Sequence, residues 1–253
     1  MFQQACSTVR ESVYGIRCDT KVGTGGVCSN GTAFMISPGV VVTAAHVIHK
    51  EGNFNNPIHQ LFGVIRAPDV GQKLEIAQLI AEDADRDLAL LRITNPRSTQ
   101  SLALATNTIQ IGTSCGSLGF PLAKVDSSGF HLFIRFQGAF VSSFNADLTP
   151  SGRVLSFYET DALMYQGSSG CPGFLANGTV FGLHNRSITE NPQPQQQTMG
   201  ETRQQRRQRL RHELKQQAKH PTTGQRQTDR FAISIWIPST DIITFAHSNG
   251  VTI

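Results

Sequence analysis

Long apolar runs are absent from this chain of 253 residues. No stretch approaches the roughly 18 uninterrupted apolar residues that a membrane-spanning helix needs, so we predict no membrane span. Residues 1–6 also lack the basic-then-apolar layout of a signal peptide, and we therefore expect a cytoplasmic or otherwise intracellular protein. Hydrophobic residues make up 39% of the chain, which is enough to build a core and excludes wholesale disorder.

Cysteine is scarce, and the count of five is odd. An odd number excludes a fully paired disulfide framework, and without a leader reduced thiols are the expectation. No two cysteines have the C-x-x-C spacing, so the sequence gives little support to a structural zinc site.

Aromatic residues, valine and isoleucine are missing from one segment, residues 191–230. This segment contains eleven glutamines, nine Lys or Arg and three acids, a net charge of +6, whereas the rest of the chain carries −2. It cannot bury enough apolar surface to form its own core. We predict that residues 191–228 are a basic Gln/Arg-rich surface insertion, either helical or disordered.

The rest of the chain consists of short apolar runs separated by turn residues, a pattern that favours an all-β fold. Residues 94–99 read as a linker, so we predict two antiparallel six-stranded barrels, in residues 1–100 and 101–253. A short C-terminal helix is expected over 240–247, with Ser239 as its cap. Predicted strands cover residues 9–18, 31–36, 40–43, 62–65, 74–79, 88–93, 132–136, 139–142, 154–160, 173–175, 179–183 and 231–237.

Three segments carry residues with the chemistry of a hydrolase. His46 follows a buried strand, Asp87 opens an apolar strand, and Ser169 lies in a turn of small residues. A serine hydroxyl is a poor nucleophile at neutral pH, and it needs a base within hydrogen-bond reach and an acid that fixes the tautomer of that base. The chain order His, Asp, Ser is one of the orders that this chemistry uses.

These segments read T-A-A-H, D-L-A-L-L and G-S-S-G-C-P, and they resemble the signature of trypsin-like serine proteases with the chymotrypsin fold. The similarity is greatest to the HtrA-like and glutamyl-endopeptidase-like branches, and it covers nearly the whole chain except residues 191–228. The resemblance implies a two-barrel chymotrypsin-like fold and a serine endopeptidase that acts on polypeptides and uses no metal or cofactor.

The resemblance also implies a role for each matching residue. His46 would be the general base and acid, Asp87 would orient its ring, and Ser169 would be the nucleophile. The backbone N–H groups of Gly167 and Ser169 would form the oxyanion hole. The family usually has a second glycine where this chain has Cys171, so the local backbone of this turn departs from the family pattern.

Taken singly, each segment has an ordinary structural interpretation. His46 alone would be a satisfied core histidine, Asp87 part of a solvated acidic turn, and residues 167–170 any tight turn. An α/β-hydrolase would need G-x-S-x-G and the order Ser, Asp, His, and this sequence has neither. The coincidence of three independent segments favours the catalytic interpretation.

Two positions bear on substrate preference. Leu163 occupies the position six residues before the nucleophile, where trypsins that cut after Lys or Arg carry an acid. The stretch around Gly182 and His184 is similar to the strand of glutamyl endopeptidases, and of viral proteases that cut after Gln, whose histidine lines the primary specificity pocket. We therefore expect cleavage after Glu or Gln, the alternative being a strand histidine with no substrate role.

Two further classes of function stay open at this point. One is a catalytically silent binding module with the shape of a protease. The other is a protein that binds nucleic acid or another anionic partner through the basic residues of 201–230. Because this segment has no aromatic side chain for base stacking, such binding would be unspecific.

Overall fold

β-strands are the main secondary structure of the computed structural model, which describes residues 2–19, 28–71, 73–121, 124–126, 129–149, 151–189 and 232–253. The insertion predicted over 191–228 lies outside these residues. Among the described helices, none is long and apolar enough to cross a membrane.

The first six strands close into an antiparallel barrel in the order β1-β2-β3-β6-β5-β4. These strands are β1 (Val13–Asp19), β2 (Cys28–Ser37), β3 (Val40–Ala44), β4 (Leu61–Arg66), β5 (Glu75–Asp83) and β6 (Leu88–Ile93). All five residues of β3 are buried, as β-branched side chains are when both faces of a strand pack. Gly39 turns the chain between β2 and β3 with a φ of 74°, a conformation that favours glycine.

The later strands form a second closed barrel in the order β10-β11-β14-β13-β12-β7, while β8 and β9 pair as a separate two-stranded sheet. They are β7 (Ser114–Gly119), β8 (Lys124–Asp126), β9 (Gly129–His131), β10 (Arg135–Leu148), β11 (Val154–Thr160), β12 (Pro172–Phe174), β13 (Val180–Thr189) and β14 (Ala232–Pro238). The fold is therefore all-β with two six-stranded barrels, as the sequence predicts. The boundary predicted at residue 100 falls in the connection between β6 and β7.

In the described parts of the chain, three helices accompany the barrels: α1 (Gln3–Arg10), α2 (Ala45–Ile48) and α3 (Ser239–Ser248). Short 3-10 turns occur at Lys50–Gly52 and Ala67–Asp69. The C-terminal helix α3 agrees with the prediction, but Ser239 does not cap it. The Ser239 hydroxyl instead donates to the carbonyl oxygen of Ala105, at 2.6 Å.

The sequence prediction is wrong at two other elements. Residues 9 and 10, predicted as the start of a strand, belong to α1, which buries Ala5 and Val9 because residues four apart share one helix face. The two strands predicted over 132–136 and 139–142 are in fact one long strand, β10. Gly138 and a bulge between Val141 and Ser143 interrupt the alternation of β10, but they do not end its pairing.

Candidate active site

The position of His46 follows from the end of β3 and its pairing with β6. Strand β3 ends at Ala44, and α2 begins with the next residue. Because Ala44 pairs with Leu88 across the two strands, the preceding residue, Asp87, lies beside the start of α2. The backbone N–H of Ala45 donates to the carbonyl oxygen of Asp87 at 3.0 Å and fixes this approach.

His46 and Asp87 are joined by two hydrogen bonds. The backbone N–H of His46 donates to Oδ1 of Asp87, and the ring Nδ1 donates to Oδ2, both at 2.7 Å. Asp87 is buried and has a φ of 55°, a left-handed conformation that is uncommon outside glycine, asparagine and aspartate. With its Nδ1 proton held by the carboxylate, the ring presents the lone pair of Nε2 as a base.

Asn185 is a third member of this network that the sequence analysis did not single out. Its side-chain amide donates to Oδ2 of Asp87 at 2.7 Å, so this oxygen accepts both from His46 and from Asn185. The contact links β13 of the second barrel to the turn before β6 in the first. The only sequence signal for this role is the place of Asn185 directly after His184.

Ser169 lies in the tight turn before β12, which two glycines with positive φ make possible. The φ angles are 94° at Gly167 and 85° at Gly170. A Cβ atom on Gly170 would lie 2.1 Å from the carbonyl oxygen of Thr32, so no side chain fits there. The N–H of Thr32 donates to the carbonyl oxygen of Ser169 at 2.9 Å and binds this turn to β2 of the first barrel.

The Ser169 hydroxyl opens onto the same cavity as the His46 ring. It donates to the backbone carbonyl oxygen of Asn185, 3.5 Å away. The N–H groups of Gly167 and Ser169 donate to no acceptor within the described parts of the chain, which leaves both available to an external oxyanion. The site therefore holds a hydroxyl and a base with a fixed tautomer on one cavity, and the serine turn carries two N–H groups without an acceptor among the described residues.

That cavity has a volume of about 870 Å³ and is lined by residues of both barrels. Such a volume lies at the upper end of the range of ordinary ligand sites and suits an extended peptide better than a small metabolite. Its lining includes His46, Asp87, Ser169, His184, Asn185 and Ser187.

The three residues expected to set substrate preference lie in different surroundings. His184 lines the cavity, is only 3% exposed and packs its ring edge against Trp236 at a centroid distance of 5.1 Å. Leu163 and Gly182 are not among the residues that line the cavity. A Cβ on Gly182 would lie 2.7 Å from the carbonyl oxygen of Ile237, so this glycine serves the packing of β13 on β14.

His184 is held neutral by its surroundings. Burial, with a smaller effect from the charge of His46, lowers its pKa from 6.5 to about 3, while the backbone of Ser168 acts in the opposite direction. The backbone of His184 is tied to the serine turn, because its carbonyl oxygen accepts from the N–H of Gly170 and its N–H donates to Cys171.

Cys171, the departure from the family pattern, is fully buried behind the serine turn. Its N–H donates to the carbonyl oxygen of Ser168 at 2.9 Å, so the turn closes with this residue in place. Burial raises the pKa of its thiol far above the ordinary value and keeps the sulfur protonated.

The comparison with protein families decides what kind of domain this is. Residues 31–183 match the trypsin-like peptidase domain family. The chain belongs to this family. The match begins in β2, ends in β13 at the residue before His184, and contains His46, Asp87 and Ser169.

Curated relatives of this trypsin-like peptidase domain include bacterial proteases of the HtrA-like branch. The chain is 27% identical over 173 residues to the magnetosome formation protease MamE of Paramagnetospirillum magneticum, covering 67% of this chain and 20% of MamE. It is 28% identical over 156 residues to a probable periplasmic serine endoprotease, DegP-like, of Rickettsia prowazekii, covering 61% of this chain and 27% of that protein. The chain thus spans only a fifth to about a quarter of these relatives.

Solved structures share the two-barrel fold. The Rv3671c protease from M. tuberculosis in its active form superimposes with a TM-score of 0.64 at 18% identity, covering 98% of this chain and 85% of that one. The HtrA-type protease AlgW, solved with a tripeptide, gives the same TM-score and identity over 98% of this chain and 63% of its own. At this identity the likeness concerns the fold alone.

Proposed function

We propose that this chain is a serine endopeptidase that hydrolyses peptide bonds through an acyl-enzyme on Ser169. The observation that carries the proposal is the bonded pair of His46 and Asp87, which faces the same cavity as the Ser169 hydroxyl. Membership of the trypsin-like peptidase domain family supports it.

The reaction follows from these groups. The Ser169 hydroxyl, which donates to the Asn185 carbonyl in this structure, must turn to His46 for the reaction, so that Nε2 takes the proton as Oγ attacks the scissile carbonyl carbon. The oxyanion that forms accepts hydrogen bonds from the N–H groups of Gly167 and Ser169. His46 then gives its proton to the leaving amine, which departs and leaves the acyl group on Ser169. Water attacks this acyl-enzyme while His46 takes a proton from the water, and His46 returns a proton to Ser169 as the acid product leaves.

Asp87 keeps the ring in the tautomer that this sequence of proton transfers requires. Its carboxylate stabilises the imidazolium that forms when His46 takes the serine proton. Asn185 holds the same carboxylate from the other side and acts as a positioning residue.

The cleavage preference that we propose is for Glu or Gln before the scissile bond. His184 lines the cavity with a buried imidazole, and the hydroxyl of Ser187 lies 3.4 Å from its Nε2. A pocket that carries such polar groups rejects side chains that cannot bond them, because the buried groups would be left without partners.

Labelling of the full chain with a fluorophosphonate probe tests the proposal. The wild-type chain is expected to react, Ser169→Ala to lose the label completely, and Ser248→Ala, which removes an exposed hydroxyl on α3, to keep it. Labelling that persists in Ser169→Ala would assign the nucleophile to another residue. A folded wild-type chain that never reacts would contradict the proposed function and favour a silent binding module.

A further inference from the structure

A second pair of a histidine and an acid lies three residues beyond His46. His49, the residue that follows α2, is only 6% exposed, and its Nε2 lies 2.7 Å from Oε1 of Glu82 on β5. Strands β5 and β6 form one hairpin, and Asp87 lies in its turn, directly before β6. The same hairpin therefore supplies an acid to each of the two histidines.

Both ring nitrogens of His49 face acceptors. Nδ1 lies 2.7 Å from the backbone carbonyl oxygen of Asn56, which can only accept, so Nδ1 carries a proton. Nε2 lies at the same distance from a carboxylate oxygen of Glu82, and a hydrogen bond there needs a second proton. Because an imidazole binds a proton more tightly than a carboxylate does, this proton resides on His49. The pair is therefore an ion pair of imidazolium and carboxylate.

This ion pair closes the loop of residues 49–57, which we call the 49–57 loop. In addition to the bond from the ring of His49, the side-chain amide of Asn56 donates to the carbonyl oxygen of Lys50 at 3.0 Å. Within the loop, Glu51 has a φ of 58°, a left-handed conformation that strains a residue with a Cβ atom. Such strain persists only where the surrounding contacts fix the backbone, and the bonds across this loop supply those contacts.

The 49–57 loop borders the active-site cavity. A Cβ atom on Gly52 would lie 3.9 Å from Cδ2 of the His46 ring, the carbon bonded to Nε2, so the loop lies beside the ring edge that takes the serine proton. Phe54 is 41% exposed and lines the cavity together with His46. Its ring contacts the ring of His49 in a T-shaped arrangement, with the centroids 5.1 Å apart. The ion pair thus holds both the neighbour of the base and an aromatic part of the cavity wall.

The titratable groups around the pair come from α2, from the loop itself, from the segment before β4 and from β1: His46, Lys50, Glu51, His59 and Asp19. His59 is buried, and burial, with a smaller effect from the charge of Lys50, lowers its pKa. His59 is therefore neutral at and above neutral pH and does not titrate with the pair. His46 is the histidine whose titration a test of the pair must separate.

From these contacts we infer that His49, as an imidazolium bound to Glu82, is a positioning residue that holds the 49–57 loop against the active-site cavity. The inference rests on the proposed function for its effect on catalysis. When His49 loses one proton, the ring has a single donor for two acceptors, and one of its two bonds breaks. The pair therefore makes cleavage sensitive to alkaline pH.

NMR of the full chain with 15N-labelled histidine counts the protons on the ring. At pH about 7 we expect His49, assigned by the loss of its signals in His49→Gln, to show two protonated nitrogens. In Glu82→Gln we expect one, because the new amide can donate to an unprotonated Nε2 and both contacts of the ring are kept. A neutral His49 in the wild-type chain would overturn the inference, whatever the activity.

Substitution of the acid tests the role of the two bonds in cleavage of fluorescein-labelled casein. At neutral pH, Glu82→Ala removes one bond of the ring and should slow cleavage about fivefold, whereas Glu82→Gln keeps both bonds and should stay within about twofold of the wild type. The control Glu11→Gln makes the same chemical change at an ion pair with Arg66 outside the cavity and should have no effect. Equal rates in Glu82→Ala and the wild type would overturn the positioning role, and so would an equal fall in both Glu82 variants.

A pH series tests the charge itself. The rate of casein cleavage by Glu82→Gln, divided by the wild-type rate, removes the titration of His46 and any effect of pH on casein. From pH about 7 to about 9 this ratio should rise at least threefold, by an estimate of roughly one lost hydrogen bond, because only the wild-type pair needs the second proton. Circular dichroism at each pH checks that both chains stay folded. A constant ratio would contradict the inference.

These results are distinguishable from failure of the proposed function. The proton count on His49 needs no activity, and the probe label on Ser169 needs no charge on His49. A labelled chain with a neutral His49 would overturn the inference alone. A chain with an imidazolium at His49 and no label on Ser169 would overturn the proposed function and, with it, the positioning role.

Discussion

The two barrels of this domain supply different parts of the site, and they differ in how fully their strands are buried. The first barrel carries His46 in α2, directly after β3, and Asp87 directly before β6, and the residues of these two strands are almost all buried. The second barrel carries Ser169, and the outer side of its long strand β10 exposes Phe136, Phe140 and Phe144. One barrel holds the proposed base and acid, which are hydrogen-bonded to each other, while the other holds Ser169, the proposed nucleophile.

The difference shows where the reaction depends on the fit between the barrels. The His46–Asp87 pair needs nothing from the second barrel to form its two short hydrogen bonds. The turn that carries Ser169 is hydrogen-bonded to Thr32 of the first barrel, and Asn185 of the second barrel donates to Asp87 of the first. Changes within the pair, at the pinned turn and at the outer contact between the barrels should therefore differ in severity.

The largest effect is expected from Asp87→Asn. An amide in place of the carboxylate can still accept from the backbone N–H of His46, but it stabilises the wrong ring tautomer and no imidazolium, so kcat should fall about 10⁴-fold. Asp69→Asn makes the same chemical change at an ion pair with Arg66 outside the cavity and should leave kcat within about twofold. A fall of less than about tenfold in Asp87→Asn would mean that other groups orient His46.

A smaller but still large effect is expected from Gly170→Ala. The new Cβ would meet the carbonyl oxygen of Thr32 in the first barrel, and the positive φ adds strain, so the free energy of unfolding should fall by about 3 kcal/mol. Gly112→Ala places the same methyl group at a φ of 84° with no atom within 4 Å and should cost only about 1 kcal/mol. Denaturant unfolding measures the free energy of unfolding of both variants. Equal losses in the two would show that close contact with Thr32 does not constrain the serine turn.

The smallest effect is expected at the outer contact between the barrels. Arg153, in the β10–β11 hairpin, reaches Asp83 of the first barrel at 3.3 Å, but the arginine side chain is 41% exposed. Arg153→Ala should lower the free energy of unfolding by about 0.5 kcal/mol at low salt and by less at high salt, because solvent and ions screen the pair. The control is Arg92→Ala, which removes an exposed arginine on β6. A loss of more than about 1 kcal/mol in Arg153→Ala that does not depend on salt would contradict a weak, screened ion pair.

Short-range pattern was enough to predict candidate residues of the site, whereas contacts between residues distant in sequence could not be predicted. His46, Asp87 and Ser169 each follow or open a strand in a recognisable local setting, and the hydrogen bond between His46 and Asp87 agrees with their predicted relation. Asn185 escaped notice because its partner, Asp87, lies 98 residues away and no local pattern links the two.

The errors in secondary structure have the same physical origin. Alternation in residues 9–18 indicates a strand. Ala5 and Val9, however, are four residues apart and share one helical face, and α1 forms because this face packs against the core. Gly138 reads as a break between two strands, whereas pairing with both β7 and β11 carries β10 through it. Gly182 resembles a residue of the pocket in sequence, yet close packing against β14 is what requires glycine there.

The buried thiol of Cys171 affects how the serine turn responds to oxidants and alkylating agents. Cys171 is the sulfur nearest in sequence to Ser169, and it is shielded from solvent and held in its protonated, unreactive form. Cys115, also buried, has a pKa raised to about 12 by the same cause. Peroxide and alkylating agents attack thiolates that they can reach, so the catalytic turn carries a built-in resistance to oxidative damage.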